Sequence, residues 1–140
     1  MFLYRAPFDP KKGPYIKIFI SKPISRYSHE DAEKSKMKVD MLLDTGASKS
    51  FISPVIAHQI GLEPIGQEYF MSVTNKVKTN IHIADLEIEK PVPGLFLPTV
   101  ILQEFSEQSP VRDGILGRDF LSTITFEMNG PQREFSLTKP

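Results

Sequence analysis

The sequence predicts a single all-β domain of the barrel type. Short apolar runs with a two-residue alternation recur along the chain, the period of a strand with one buried face. Turn residues punctuate these runs at short intervals, the spacing of an all-β barrel or sandwich. Near the C-terminus Asn129-Gly130 separates two such runs, a strong hairpin signal. Only one or two short segments read as helix.

In chain order, Tyr15 to Ile20 alternates with Ile16, Ile18 and Ile20 on one face, and is expected to pair with Lys36 to Leu43. The connection between them, Ser21 to Ser35, carries Arg26, His29, Glu30, Asp31, Glu33 and Lys34. Hairpin loops usually hold about 2–5 residues, so this segment reads as an inserted, solvated polar loop. In the next strand Met37, Val39, Met41 and Leu43 alternate with Lys38, Asp40 and Leu42. It ends abruptly on a carboxylate, Asp44, followed by Thr45, Gly46, Ala47 and Ser48.

Ser50-Phe51-Ile52 continues as a strand. Ser53 then offers an N-cap and Pro54 a first helical residue, with Val55, Ile56 and Ile60 as the apolar side and Gly61 as the stop. Tyr69 to Val73 and Val77 to Ile83 flank the polar tip Thr74-Asn75-Lys76, a β-hairpin. Ala84 to Ile88 resumes with opposite parity, which calls for a bulge near Asp85. Leu95 to Leu102 is a strand that Pro98 confines to an edge or bulged position. Downstream, Gly114-Ile115-Leu116-Gly117-Arg118-Asp119-Phe120-Leu121 reads as a buried strand that passes close beneath another loop and enters a helix. Gly117 has a physical role there, since another backbone can cross with no side chain in the way. Thr123 to Met128 and Arg133 to Leu137 form the closing hairpin.

Composition excludes several classes. A chain of 140 residues builds one core without staples. It has no cysteine, hence no disulfide, thiol nucleophile or cysteine-based zinc site. Seventeen basic and seventeen acidic residues cancel, so nothing favours nucleic acid or an anionic membrane. No apolar run nears the roughly 18–20 residues that span a bilayer. The N-terminus reaches Arg5, Pro7 and Asp9 too early for a secretory signal, so a cytoplasmic protein is expected. His29, His58 and His82 lack metal-pair spacing, and His58 and His82 are expected at the partly exposed surface. Gly46-Ala47-Ser48-Lys49-Ser50 starts like a nucleophile elbow but lacks the closing glycine. No cofactor or metal is expected.

Asp44 at the end of an apolar strand is fixed by a rigid element yet open to a ligand. Gly46 lets the backbone turn and approach a substrate, while Thr45 and Ser48 supply hydroxyls that fix the loop. Asp-Thr-Gly alone is also an ordinary turn. The apolar lead-in and the distant Ile115-Leu116-Gly117 favour a preorganised acid–base carboxylate. Asp44-Thr45-Gly46-Ala47-Ser48 followed by Ile115-Leu116-Gly117-Arg118-Asp119 resembles the retropepsin-like aspartic proteases, single-lobe relatives of pepsin. The likeness runs from Tyr15 to about Leu137.

The resemblance implies a single-lobe acid protease barrel whose aspartate loop and apolar-apolar-glycine strand cross at the floor of the active site. It makes Asp44 the catalytic carboxylate, has Thr45 bond across a two-fold axis, and has Gly46 present backbone to the substrate. Ala47 and Ser48 would line the cleft floor. Thr74, Asn75 and Lys76 would form the tip of a flap that excludes water. Ile115, Leu116, Gly117 and Arg118 would support the site, and the terminal strands would build a dimer interface. Retroviral members often carry Asp at the position of Ser48, paired with the arginine after the crossing glycine, so Arg118 needs another partner. Their flap tips are also glycine-rich, whereas here no glycine lies between Gly66 and Gly94.

The chemistry of this class needs two adjacent carboxylates sharing a proton, one acting as base toward water and the other as acid toward the substrate carbonyl. The chain holds one Asp-Thr-Gly, and neither Asp113 nor Asp119 has the context of a second. The implied enzyme is therefore a homodimer cutting a peptide or protein substrate. The alternative is a catalytically silent module of the same fold that binds extended peptides or dimerises.

Overall fold

The computed structural model describes residues 1–71, 76–91, 94–106 and 113–140. Its strands and helices follow in the order β1 (Phe2–Pro7), β2 (Tyr15–Ser21), α1 (His29–Ser35), β3 (Met37–Leu43), β4 (Phe51–Ile52), α2 (Pro54–Ile60) and β5 (Gly66–Met71). Then come β6 (Lys76–Ile88), β7 (Leu95–Glu104), β8 (Gly114–Leu116), α3 (Arg118–Leu121), β9 (Thr125–Asn129) and β10 (Glu134–Lys139).

The larger sheet runs β2-β3-β8-β4-β7-β6-β5, and β2 also pairs with β6. That extra pairing closes six strands into a barrel and leaves β5 as an appendage of β6. Closure removes two exposed edges that would otherwise invite association. The long β6 makes it possible: its start pairs with β5 at Met71↔Lys76 and its end with β2 at Phe19↔Glu87. The all-β prediction holds, with a mostly β chain and a few short helices.

Alternation along β2 and β3 decides which side is inside. Ile16, Ile18 and Ile20 of β2 and Val39, Met41 and Leu43 of β3 are buried, and Leu86, Ile88, Leu102 and Leu116 join them. Each such side chain contributes roughly 1.5–3 kcal/mol when fully buried. The intervening positions of β3, Lys38 and Asp40, point to solvent as the pattern requires.

A second, three-stranded sheet runs β1-β10-β9. The turn joining β9 to β10 is not the two-residue type that Asn129-Gly130 suggests. Asn129 pairs with Glu134, the Arg133 amide donates to the Gly130 carbonyl at 3.1 Å, and the positive φ of 52° falls on Arg133. The hairpin is where the sequence puts it, but a longer loop built on a β-turn makes it.

The segment Ser21 to Ser35 is not a loop throughout. Ser28 caps α1 by accepting from the Asp31 amide at 3.1 Å, and the Ala32 side chain is buried. Glu30 and Lys34 make a one-turn ion pair at 3.0 Å. The serine followed three residues later by an acid is a helix-start signature, which the surrounding charge concealed. In α2, Gly61 ends the helix in the left-handed conformation (φ 82°) as expected. Ile56, Ala57 and Ile60 face the core, whereas Val55 is 63% exposed. Ala57 takes the inward place expected of Val55.

The expected bulge is present. Pairing of β6 with β7 shifts between Ala84 and Leu86, with Ala84 opposite Val100 and Leu86 opposite Leu97. Pro98 and Thr99 occupy the extra length on β7, and Thr99 has φ 55°. Asp85, only 2% exposed, accepts from the Thr99 amide at 2.9 Å and from the Ile24 amide at 2.9 Å.

Candidate active site

β8 fixes the geometry of the site. It lies parallel to β3, with Leu43 beside Leu116, and antiparallel to β4. The two carboxyl ends it brings together are those preceding Asp44 and Gly117. The Asp44 amide donates to the Leu116 carbonyl at 3.0 Å, so the aspartate leaves β3 already tied to β8. Asp44 is half-buried, and its Oδ1 accepts from the Gly46 amide at 2.8 Å. The Asp44 carbonyl accepts from Ala47 at 3.2 Å, which closes the turn. A methyl group on Gly46 would stand 3.1 Å from that same Oδ1, so glycine keeps the carboxylate approachable.

The crossing at Gly117 is tight. A Cβ there would stand 2.3 Å from the Lys49 carbonyl oxygen and 2.7 Å from that of Ala47. The next residue locks the crossing from both ends of its own structure. The Arg118 amide donates to the Ala47 carbonyl at 2.8 Å, and its Nη1 donates to the Thr45 carbonyl at 2.8 Å. Thr45 thus supplies the partner that Ser48 does not.

Two residues absent from the sequence-derived site complete the floor. Asp119 accepts from the Ser50 amide at 3.0 Å and from the Ser50 hydroxyl at 2.7 Å. The same hydroxyl accepts from the Gly117 amide at 3.1 Å, and Asp119 also accepts from the Phe120 amide at 2.8 Å. The signal was there, a short acid just past the crossing glycine and a serine at the start of β4. Asp113 is committed too, accepting from the Asp40 amide at 2.9 Å. Neither acid is free to serve beside Asp44.

Ala47 is half-buried, while Thr45, Gly46 and Ser48 are exposed. Ile115, Leu116 and Gly117 are all buried beneath the loop. Of the proposed flap tip, Thr74 and Asn75 lie outside the described residues. Lys76 starts β6 opposite Met71, and its ammonium sits 4.2 Å from the centre of the Tyr69 ring. Tyr69, Met71, Lys76 and Lys78 share one face of the β5–β6 hairpin. The opposite face carries Phe70, which packs on Phe51 at 5.6 Å and on Phe105 at 6.4 Å. Lys76 therefore projects from the side away from the body of the domain.

His82 departs from expectation. It is 2% exposed, with Nε2 2.6 Å from a Glu104 carboxylate oxygen. The strand alternation that carries Leu102 inward carries its partner His82 with it. Among the described residues no group of three or more metal-ligating side chains forms, and no helix is long and apolar enough to cross a membrane.

The family model described as aspartyl protease matches residues 32–120, well over half of the chain. The chain belongs to that family. Its fold is retropepsin-like. The crystal structure of a retropepsin-like aspartic protease from Rickettsia conorii superposes with a TM-score of 0.66 at 14% identity, covering 97% of this chain and 89% of that one. The EIAV protease complexed with the inhibitor HBY-793 superposes with a TM-score of 0.53 at 18% identity, covering 84% of this chain and 92% of that one. No protein of curated function matches the sequence.

Proposed function

We propose that this protein is an aspartic endopeptidase whose active site forms between two copies of the chain. One observation carries the reading: Asp44 stands half-buried at the end of β3, its loop fixed by Leu116, Gly46 and Arg118, with no second uncommitted acid among the described residues brought to it. Two such carboxylates across a two-fold axis would share one proton. One Asp44 then draws a proton from water as the water attacks the scissile carbonyl. The other donates a proton to the carbonyl oxygen, and the tetrahedral species collapses with protonation of the leaving amine.

In this reading Thr45, exposed at the loop tip, faces its counterpart across the axis, and Gly46 presents backbone to the substrate. Ala47 and Ser48 line the floor, and Thr74, Asn75 and Lys76 belong to the flap. Ile115, Leu116, Gly117 and Arg118 hold the loop from below. The test is incubation of the purified protein with a diverse peptide library, followed by sequencing of the products. Cleavage is expected at mildly acidic to neutral pH, and Asp44→Asn is expected to abolish it because an amide cannot act as the base. Equal cleavage by both proteins would overturn the assignment.

A further inference from the structure

The β5–β6 hairpin is joined to the loop that carries Asp44 by a small polar cluster. Lys49 belongs to that loop, and its ammonium pairs with the Glu68 carboxylate of β5. Gln103 of β7, 3% exposed, points its side-chain amide at both strands of the hairpin. Its Nε2 donates to the Glu68 carbonyl at 3.3 Å and to the Thr79 hydroxyl at 3.0 Å. Glu68 and Thr79 are directly opposite one another in the hairpin. The Gln103 backbone N–H in turn donates to the Ser50 carbonyl at 3.2 Å, and Ser50 is the residue held by Asp119 and Gly117.

A continuous polar path therefore runs from the Asp44 loop through Ser50 and Gln103 to one rung of the hairpin, with the Lys49–Glu68 pair spanning the same gap. Both elements of the gap have fixed backbones. The Lys49 carbonyl is wedged against Gly117, and the Glu68 carbonyl is held by Gln103. Burial of Gln103 makes its contacts costly to break, since its own Nε2 would be left without an acceptor. Lys49 and Glu68 are about half exposed, so their pair is weak and can open and reclose.

We propose that Gln103 and the Lys49–Glu68 pair form the hinge of the β5–β6 hairpin and set its angle over the Asp44 loop. The three are positioning residues for the peptide cleavage proposed above, and their part in that reaction rests on that reading. A hinge of this kind combines a fixed rung, at Glu68 and Thr79, with a breakable charge contact beside it. It couples hairpin closure to the loop that holds the carboxylate.

Backbone amide exchange tests the hinge without requiring activity. Lys49→Glu and Glu68→Lys each place like charges together. Exchange at Tyr69–Met71 and Lys76–Lys78 is expected to quicken about two- to fivefold, the range of an exposed ion pair, while β2 and β3 stay unchanged. The double variant Lys49→Glu/Glu68→Lys restores the pair in reverse and is expected to return exchange to within about twofold of the starting protein. Gln103→Met should quicken the same amides further. Single variants that exchange like the starting protein, a double variant no slower than the singles, or quickening spread equally over all strands would each overturn the hinge. Peptide cleavage by the same proteins reads the coupling: KM should rise in the singles and recover in the double, with kcat little changed. A starting protein that cleaves nothing would defeat the endopeptidase reading and leave the exchange result to decide the hinge alone.

Discussion

A methyl group at position 117 has nowhere to go. Its nearest neighbours are carbonyl oxygens of Lys49 and Ala47, which are backbone and cannot rotate aside. Gly117→Ala should therefore cost about 1–3 kcal/mol, the usual toll of overpacking, and should reduce peptide cleavage by shifting the Asp44 loop. Thermal unfolding and activity on the same sample check this; an unchanged melting temperature would mean that the crossing is looser than it stands. Asp119 works differently, because it accepts from three donors, and an asparagine offers one acceptor oxygen in place of two. Lys36 is a third case. Its ammonium lies 2.8 Å from Glu89 and 3.2 Å from Glu87. Hydrogen bonding to Glu89 holds its pKa above the usual 10.5, against the opposing pull of desolvation. A raised folded-state value means that the protonated lysine stabilises the fold. That contribution is complete below the ordinary lysine range and is lost as pH climbs through the folded value. Lys36→Met should thus lower the melting temperature at neutral pH, with the difference shrinking in strongly alkaline buffer. A deficit that persists there would assign the loss to something other than the charge of the lysine.

At the scale of elements, the β6–β7 bulge shows how much can hang on one side chain. Asp85 holds Thr99 across the bulge and Ile24 in the segment leading to α1. Asp85→Ala would take the acceptor from two part-buried backbone hydrogen bonds, at about 0.5–1.5 kcal/mol for each. Amide exchange should quicken at Ile24 and Thr99 ahead of the barrel strands; uniform quickening would deny Asp85 a local role. The bulge was legible because a parity change is visible in a strand pattern, and Pro98 marked its partner. The strands β2 and β3 were legible for the same reason, as was Gly117, whose neighbours leave it no packing role of its own. Other features were not. The α1 helix is short and mostly charged, so its cap was the only periodicity-free clue. Val55 and Ala57 exchanged roles because a seven-residue helix is too brief for hydrophobicity to fix its rotation. His82 is inside because strand alternation outweighs the preference of histidine for the surface, and Glu104, which makes that burial tolerable, lies on another strand. Gln103 gave no sign at all, since a glutamine is buried only when partners distant in sequence meet its amide.

For the whole molecule, the proposed reaction requires that a single carboxylate become a pair. In the terminal sheet β10 has β1 on one side and β9 on the other. Its backbone groups are thus taken within the chain, and among the described residues only the outer edges of β1 and β9 are left for a partner strand from this sheet. An interface built by the terminal strands would have to use one of those edges or the face of the sheet. In the proposed two-copy enzyme the partner brings its own Asp44 beside the first, since among the described residues Asp113 and Asp119 are spent on backbone amides. Activity should then fall faster than linearly on dilution as dimers dissociate by mass action. Mixed dimers of the starting protein with Asp44→Asn should be nearly inactive, since one carboxylate cannot share a proton with an amide. A large excess of the variant should therefore suppress the activity of a fixed amount of starting protein. Dimerisation need not be tight, because a bound peptide would bridge both subunits and favour the assembled form. Specific activity measured against concentration, with sedimentation on the same samples, separates the possibilities. Full activity from a species that sediments as a monomer, undiminished by excess Asp44→Asn, would require a second acid from within the chain and would overturn the two-copy site.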